Sequence, residues 1–185
     1  MTESVLADLK RTTDQTFTEA ELVKKLSSGR PLRIKYGVDI TAPFLHLGHA
    51  VNLWMMRRLQ DAGHKVVFLL GDFTTRIGDP TGRSGARKVP SEAEIKQNAQ
   101  AFLEQCGSIL RQDSEVFEVR RNSEWFGSMD TAEFMSLLGM VTHGRLIQRD
   151  MFQVRLKEQK EIWMHEMLYP VLQGYDSYML ESDLT

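Results

Sequence analysis

Apolar residues recur along this chain at two spacings, and the switches between them divide it into alternating helices and strands. The run Lys65 to Leu70 reads Lys-Val-Val-Phe-Leu-Leu, the near-continuous apolar pattern of a strand covered on both faces. Leu32 to Val38 predicts a second strand and Glu115 to Arg120 a third. Between them, Leu47 to Ala62 predicts a helix closed by Gly63, and Ser91 with Glu94 caps another. Upstream, Thr18 with Glu21 makes a capping box for a helix that ends at Gly29. These elements form a β-α-β-α-β unit, half of a parallel, doubly wound nucleotide-binding sheet whose connections are expected to be right-handed. Ser123 to Thr185 reads as helix, with Asp130 and Glu133 opening one segment and Thr142 another. No repeat, low-complexity tract or linker interrupts the pattern. The predicted organisation is therefore one α/β domain: helices over 1–30, the β-α-β-α-β half over 31–122 and a helical connective segment over 123–185.

Composition narrows the class without naming a chemistry. A chain of 185 residues is long enough to bury a sizeable core, and 42% hydrophobic with 26% charged residues is ordinary for a soluble globule. The net charge of -2 leaves no global electrostatic footprint for nucleic acid. A local patch is still compatible with it, and Arg145, Arg149, Arg155, Lys157 and Lys160 suit either an acceptor-stem backbone or a solvated helix face. Cys106 is the only cysteine, which excludes an intramolecular disulfide and a Cys-based zinc site. The longest aliphatic and aromatic run, Val66 to Leu70, is too short for a membrane span, and Met1 to Lys10 lacks a signal-peptide core. A cytoplasmic setting with no membrane contact is the resulting expectation.

Three segments carry candidate chemistry. Asp39-Ile40-Thr41-Ala42-Pro43-Phe44-Leu45-His46-Leu47-Gly48-His49 joins a strand to a helix, so first-turn N–H groups and the positive helix end face whatever sits above the strand. His46 and His49 share one face of the first turn, and Gly48 leaves room for a flat base. The same residues also suit an ordinary capped helix with two surface histidines. The loop Gly71 to Ser84 follows the second strand at the carboxyl edge, where such sheets bind ligands. It lacks the Gly-Lys-Ser/Thr of a phosphate-binding loop, and Asp79 beside Pro80 is either a turn former or a carboxylate placed to pair with an ammonium. In the last helix, Tyr169, Gln173 and Asp176 place a phenol, an amide and a carboxylate on one stripe. Such groups fit a polar pocket wall or a structural hydrogen-bond network, and Pro170 removes one backbone donor beside them.

Together these segments resemble the bacterial tyrosyl-tRNA synthetases, class I enzymes with a Rossmann-like three-layer fold. The resemblance runs through Gly37-Val38-Asp39-Ile40-Thr41-Ala42-Pro43 with His46-Leu47-Gly48-His49, Gly71 to Thr74, Ile77 to Gly82, Trp125-Phe126, and Tyr169 to Ser177. The related tryptophan enzymes share the histidine signature but look apolar where Gln173 to Asp176 stand, so the acid at 176 points to a phenol. The resemblance implies ATP-dependent activation of L-tyrosine for transfer to tRNA(Tyr), with Mg2+ accompanying ATP as co-substrate and no tightly bound cofactor. It implies that Thr41 and His46 hold the outer phosphate, that Gly48 and His49 pack on the adenosine beside Gly37, and that Asp39 lies close to the reacting groups. Asp79, Tyr169 and Gln173 would bind the tyrosine ammonium, and Asp176 would accept the phenolic hydrogen bond. No covalent nucleophile is needed, because the carboxylate attacks the α-phosphate in line.

This sequence departs from the family pattern in three places. Many members carry a tyrosine where Lys35 stands, and Tyr36 is one residue later, on the opposite face of the strand. Lys35 and Tyr36 are thus both candidates for tyrosine contact, Tyr36 alternatively facing ribose. Ile40 replaces the usual proline and is expected to loosen the loop. The chain also stops before the positions of the family's Gly-Ser-Asp-Gln segment, its Lys-Met-Ser-Lys-Ser loop and its anticodon-binding region. From this we expect slow or absent tyrosine activation by this polypeptide alone. A bare hydrophobic edge on the strand Leu32 to Val38 is also expected, with self-association as a homodimer in the family's manner, through that edge or through Ser123 to Lys160. Two other readings stay open: a different H-x-G-H nucleotidyltransferase, and a non-catalytic protein that binds tyrosine, ATP or a partner.

Overall fold

Three parallel strands, β1 (Arg33–Val38), β2 (Lys65–Leu70) and β3 (Phe117–Arg121), form a sheet in the order β1-β2-β3. The structure is a computed structural model that describes residues 2–77 and 90–185. β2 is the middle strand, and side chains that alternate across it supply two cores. Val66, Phe68 and Leu70 meet α3 (Leu47–Asp61) and α4 (Glu92–Cys106), chiefly through Leu53, Ile95, Ala99 and Phe102. α1 (Thr2–Thr12) and α2 (Glu19–Leu26) join α3 in a neighbouring cluster that holds Leu9, Leu22, Leu26, Ile34 and Leu59. After β3 come α5 (Ser123–Phe126), α6 (Thr131–Leu138), α7 (His143–Ile147), α8 (Asp150–Lys157) and α9 (Met164–Met179). Trp125, Phe126, Leu137, Val171 and Leu172 from this set close over Val67 and Leu69 on the opposite face. The layers are therefore helices, sheet, helices. Among the described residues no helix is long and apolar enough to cross a membrane.

Local chemistry sets the ends of these elements. Ser91 Oγ accepts from the Glu94 N–H at 3.3 Å while Glu94 accepts from the Ser91 N–H at 2.7 Å, and Asp130 with Glu133 repeats the exchange at 2.8 and 3.0 Å. Thr18 makes the forward half of such a box, accepting from the Glu21 N–H at 3.3 Å. α2 stops at Leu26 rather than running to Gly29, because the Ser27 and Ser28 amides turn back to Val23 and Lys25 before Gly29 takes its positive φ of 75°. β3 begins at Phe117 rather than Glu115, since the Asp113 carbonyl captures the amides of Val116 and Phe117 in a turn at 3.1 and 2.9 Å.

Two expectations are corrected. The outer edge of β1 is not bare along its length: Leu184 bridges Ile34 in parallel, the Lys35 N–H donates to the Leu184 carbonyl at 2.8 Å, and the Asp183 N–H donates to the Arg33 carbonyl at 2.8 Å. Arg30 grips the Asp183 carboxylate at 2.8 and 2.5 Å, Lys25 donates to its carbonyl at 2.6 Å, and Arg33 donates to the Leu180 carbonyl at 3.0 Å. These charge-assisted bonds seat residues 183–184 against the strand. Ile40 does not loosen its loop either. Its side chain is fully buried, and its N–H donates to Thr75 Oγ1 at 2.8 Å, which donates in turn to the Gly71 carbonyl at 2.5 Å. A proline at this position has no N–H for that bond.

Ile40→Pro is therefore expected to lower the unfolding free energy in urea by about 2 kcal/mol or more, from the lost hydrogen bond and the lost buried side chain together. Unchanged or increased stability would contradict the tether.

Candidate functional site

Polar side chains gather at the carboxyl ends of the strands, where β1 gives way to Asp39 and β3 to Asn122. Thr74, in the short turn after β2, donates from Oγ1 to Asp39 Oδ1 at 2.9 Å and accepts from Asn122 Nδ2 at 3.0 Å. Asn122 is fully buried; its Oδ1 accepts from the Phe73 N–H at 2.9 Å, and its amide nitrogen reaches Asp176 Oδ2 at 3.4 Å. The indole of Trp125 donates to Asp176 Oδ1 at 3.0 Å, and the Tyr169 hydroxyl donates to Asp39 Oδ2 at 3.0 Å. Gly71 makes room for this chain, because a Cβ there would sit 2.5 Å from Thr74 Oγ1 and 2.6 Å from Asp39 Oδ1.

α9 lies against the face of β1 that carries Lys35 and Gly37. Lys35 donates to the Gln173 carbonyl at 2.8 Å and to Ser177 Oγ at 2.7 Å. One end of this contact is closed by Asp176, 4% exposed, and Lys35, 5% exposed. The other opens at Asp39 and Tyr169, with the Gln173 side chain exposed between. Gly37 is exposed in mid-strand, and a Cβ there would meet only Lys35 Cε and Leu69 Cδ2 at 3.9 Å. Burial pushes the Asp176 carboxyl up to about 6, against the opposing pull of Lys35, Trp125 and Asn122, while Asp39 adds to the rise. Burial likewise lowers the Lys35 ammonium, and Asp176 opposes that shift. Tyr36 stands on the other face of β1, its ring 5.6 Å from that of Phe68, and burial raises its phenol while Asn52 pulls it back. The structure thus brings Lys35, Tyr169, Gln173, Asp176 and Asp39 to one side of the sheet and leaves Tyr36 on the other.

The second group sits at the start of α3. The His46 and His49 rings stack with centroids 3.9 Å apart, and the His46 N–H donates to His49 Nδ1 at 3.3 Å. That bond leaves the neutral His49 ring with its proton on Nε2. Burial, and then His46, lower the His49 pKa, which favours the neutral form. A Cβ on Gly48 would come within 3.0 Å of the His46 ring, so glycine permits the stack itself. Thr41 is exposed in the bend that precedes it. Gln105 of α4 holds this bend, accepting from the Leu45 N–H at 3.0 Å and donating to the Pro43 carbonyl at 2.7 Å. Asp79 lies outside the described residues, as do Gly78 and Pro80 to Gly82. Of the basic stretch, Arg155 pairs with Glu166 of α9 at 2.6 Å and Lys160 with Glu158 at 2.7 Å.

The sequence marked Thr74 and Trp125 only as part of the resemblance, with no contact assigned to either, and gave no part to Asn122 or Gln105. Asn122 carried a usable signal, since it ends a strand at the carboxyl edge of the sheet. Gln105 carried none, because its partners are backbone groups about sixty residues away.

Because the folded state raises the affinity of Asp176 for a proton, the folded chain holds more protons than the unfolded one between the ordinary value of 3.8 and about 6. Stability from the protonated acid is present below that window and is lost as the pH rises through it. The unfolding free energy of the chain minus that of Asp176→Asn is expected to fall by about 2 to 3 kcal/mol between pH of about 4 and 7 in urea titrations. A flat difference would show that the carboxyl is not perturbed.

Comparisons with known proteins agree with this geometry. The family model described as tRNA synthetases class I (W and Y) matches residues 27–185. A protein named tyrosine--tRNA ligase from Thiobacillus denitrificans is 47% identical over 182 residues, which cover 98% of this chain and 46% of that protein. One of the same name from Deinococcus radiodurans is 47% identical over 176 residues, 95% of this chain and 43% of its own. The crystal structure of a C-terminally truncated Aspergillus nidulans mitochondrial tyrosyl-tRNA synthetase matches with a TM-score of 0.79 at 25% identity, over 95% of this chain and 53% of that one. The chain spans about half the length of the curated relatives it matches. A parallel Rossmann-like sheet, stacked histidines opening its first crossover helix and a family match across most of its length lead to one conclusion: the chain belongs to the tRNA synthetases class I (W and Y).

Proposed function

We propose that this chain carries the amino-acid and nucleotide sites of a tyrosine--tRNA ligase, which joins L-tyrosine to ATP as tyrosyl-adenylate for transfer to tRNA(Tyr) in the cytoplasm. The observation that carries the reading is the buried carboxyl of Asp176 at the closed end of the β1–α9 contact. A carboxylate there suits the phenol of tyrosine and disfavours the indole of tryptophan or the bare ring of phenylalanine. A site built to hydrogen-bond a hydroxyl rejects the analogue that lacks it, a rule of which tyrosyl-tRNA synthetases are themselves the standing example.

The remaining roles follow the same axis. Tyr169 and the Gln173 side chain stand at the open end and bind the ammonium together with Asp79. Asp39, which accepts from both Tyr169 and Thr74, lies between amino acid and nucleotide. His46 and Thr41 hold the outer phosphate; Gly48 and the neutral His49 ring take the adenosine, with Gly37 beside them. Mg2+ enters on the phosphates of ATP. The in-line attack of the tyrosine carboxylate on the α-phosphate then needs positioning and charge stabilisation rather than a nucleophilic side chain. Self-association through the helical segment Ser123 to Lys160 belongs to the same reading and is supported by the exposed Met135, Met140, Val154 and Leu156.

Calorimetric titration with tyrosine and phenylalanine tests the amino-acid site. The chain is expected to prefer tyrosine, and Asp176→Ala is expected to weaken tyrosine binding by about tenfold to a hundredfold while narrowing that preference. Equal binding of the two amino acids by the unaltered chain, or a preference unaffected by the substitution, would overturn the assignment. In light scattering the chain is expected at the mass of a dimer; a strictly monomeric species at high concentration would refute the association.

A further inference from the structure

The amino ends of β1 and β2, opposite the edge that holds Asp39 and Asn122, frame a cavity of about 250 Å³. The turn before β1 supplies Gly29, Arg30 and Pro31, and the turn before β2 supplies Ala62, Gly63 and His64. Buried Val5 of α1 and Leu26 of α2 complete it. Both glycines take a positive φ, of 75° and 85°, and a Cβ on either would meet nothing within 4 Å. The two turns thus stand clear of their surroundings, and the cavity between them stays open.

The lining has a consistent chemical bias. Val5, Leu26, Pro31 and Ala62 are aliphatic, and the polar side chains are Arg30 and His64. His64 Nδ1 accepts from the Leu32 N–H at 3.3 Å, so the neutral ring carries its proton on Nε2. Burial lowers the His64 pKa, against the opposing pull of Asp183, which favours that neutral form. Arg30 commits two nitrogens to the Asp183 carboxylate, at 2.8 and 2.5 Å. Among the described residues, neither the Arg30 Nε–H nor the His64 Nε2–H has a hydrogen-bond partner. Lys25 donates to the Asp183 carbonyl at 2.6 Å, so two cations converge on a residue with one negative charge.

An aliphatic cavity with spare N–H donors at its polar side and an excess of positive charge beside it fits an amphiphile whose head is both acceptor and anion. A carboxylate offers acceptor oxygens to those donors, and the bonds are charge-assisted. An ammonium brings only further donors. The volume lies below the range of sites that take drug-sized molecules, which restricts the body of the ligand to a short chain.

We infer that this cavity is a binding site for a short-chain aliphatic carboxylate, with its chain against Val5, Leu26 and Ala62 and its head at Arg30 and His64. It is separate from the sites proposed for tyrosine and ATP and does not rest on them.

Hexanoate, hexanol and hexylammonium, each titrated at constant pH and ionic strength into the 185-residue chain, test it through the histidine ring signals in NMR. Hexanoate is expected to shift His64 to saturation while His46, His49, His143 and His165 stay in place, and the alcohol and the ammonium are expected to bind at least about tenfold more weakly. Ala62→Leu, which adds bulk to the wall, is expected to weaken hexanoate binding by about tenfold, and Arg30→Gln to weaken it severalfold. An unmoved His64, equal binding of the three probes, or hexanoate binding indifferent to both substitutions would overturn the site. If Ala62→Leu does not fold, Arg30→Gln decides: loss of the guanidinium is expected to narrow the preference for hexanoate over hexanol, and an unchanged preference overturns the assignment. Either failure leaves the tyrosine site standing, because tyrosine binding is measured separately.

Discussion

A carboxylate taken out of water is costly unless donors surround it, and much of this molecule's architecture serves that condition at Asp176. Its donors come from Trp125 of α5 and from Asn122 at the end of β3, and its nearby cation from the middle of β1. The cation, the pair of donors and the acid are far apart in sequence, so the acid is tolerated only when β1, β3, α5 and α9 are assembled together. The same convergence places the acid at the closed end of a contact whose other end is open. Three polar groups on a late helix thereby line one side of the proposed recognition site.

The sheet makes that convergence possible. β2 is apolar on both faces and supports two cores, which lets helices from both halves of the described chain pack on one strand without competing for it. At the carboxyl edge the backbone stops satisfying itself, and side chains take over: Asp39, Thr74, Asn122 and Asp176 form a continuous hydrogen-bonded line from the mouth of the contact to its end. Networks of this kind resist displacement of any one member, because the partner left behind is buried and unpaired. The histidine pair at the start of α3 is positioned independently, through its own stack and through Gln105.

Strands and capped helices were legible in the sequence wherever a local rule decided the outcome. β2 matches its apolar run, Ser91 and Asp130 cap where their partners three residues on require, and the alternation of a strand separates Lys35 from Tyr36. The stripe of Tyr169, Gln173 and Asp176 was visible from helical spacing alone. What escaped was decided by distant partners. Nothing near Ile40 announces Thr75, and nothing near Leu184 announces the edge of β1, since a single bridge leaves no alternating pattern to read. The donors to Asp176 belong to the same class: Asn122 and Trp125 reveal their part only once β3 and α9 lie side by side.

The proposed place of an aromatic hydroxyl is Asp176, and the indole N–H of Trp125 reports on it directly because it donates to the same carboxylate. The chain has three tryptophans, so its indole resonances can be assigned by substitution and followed in a nitrogen–proton NMR titration. Tyrosine is expected to shift the Trp125 signal at saturation while those of Trp54 and Trp163, exposed on the surface, stay in place, and phenylalanine at the same concentration is expected to leave all three unmoved. A tyrosine titration that saturates without moving Trp125 would contradict the account.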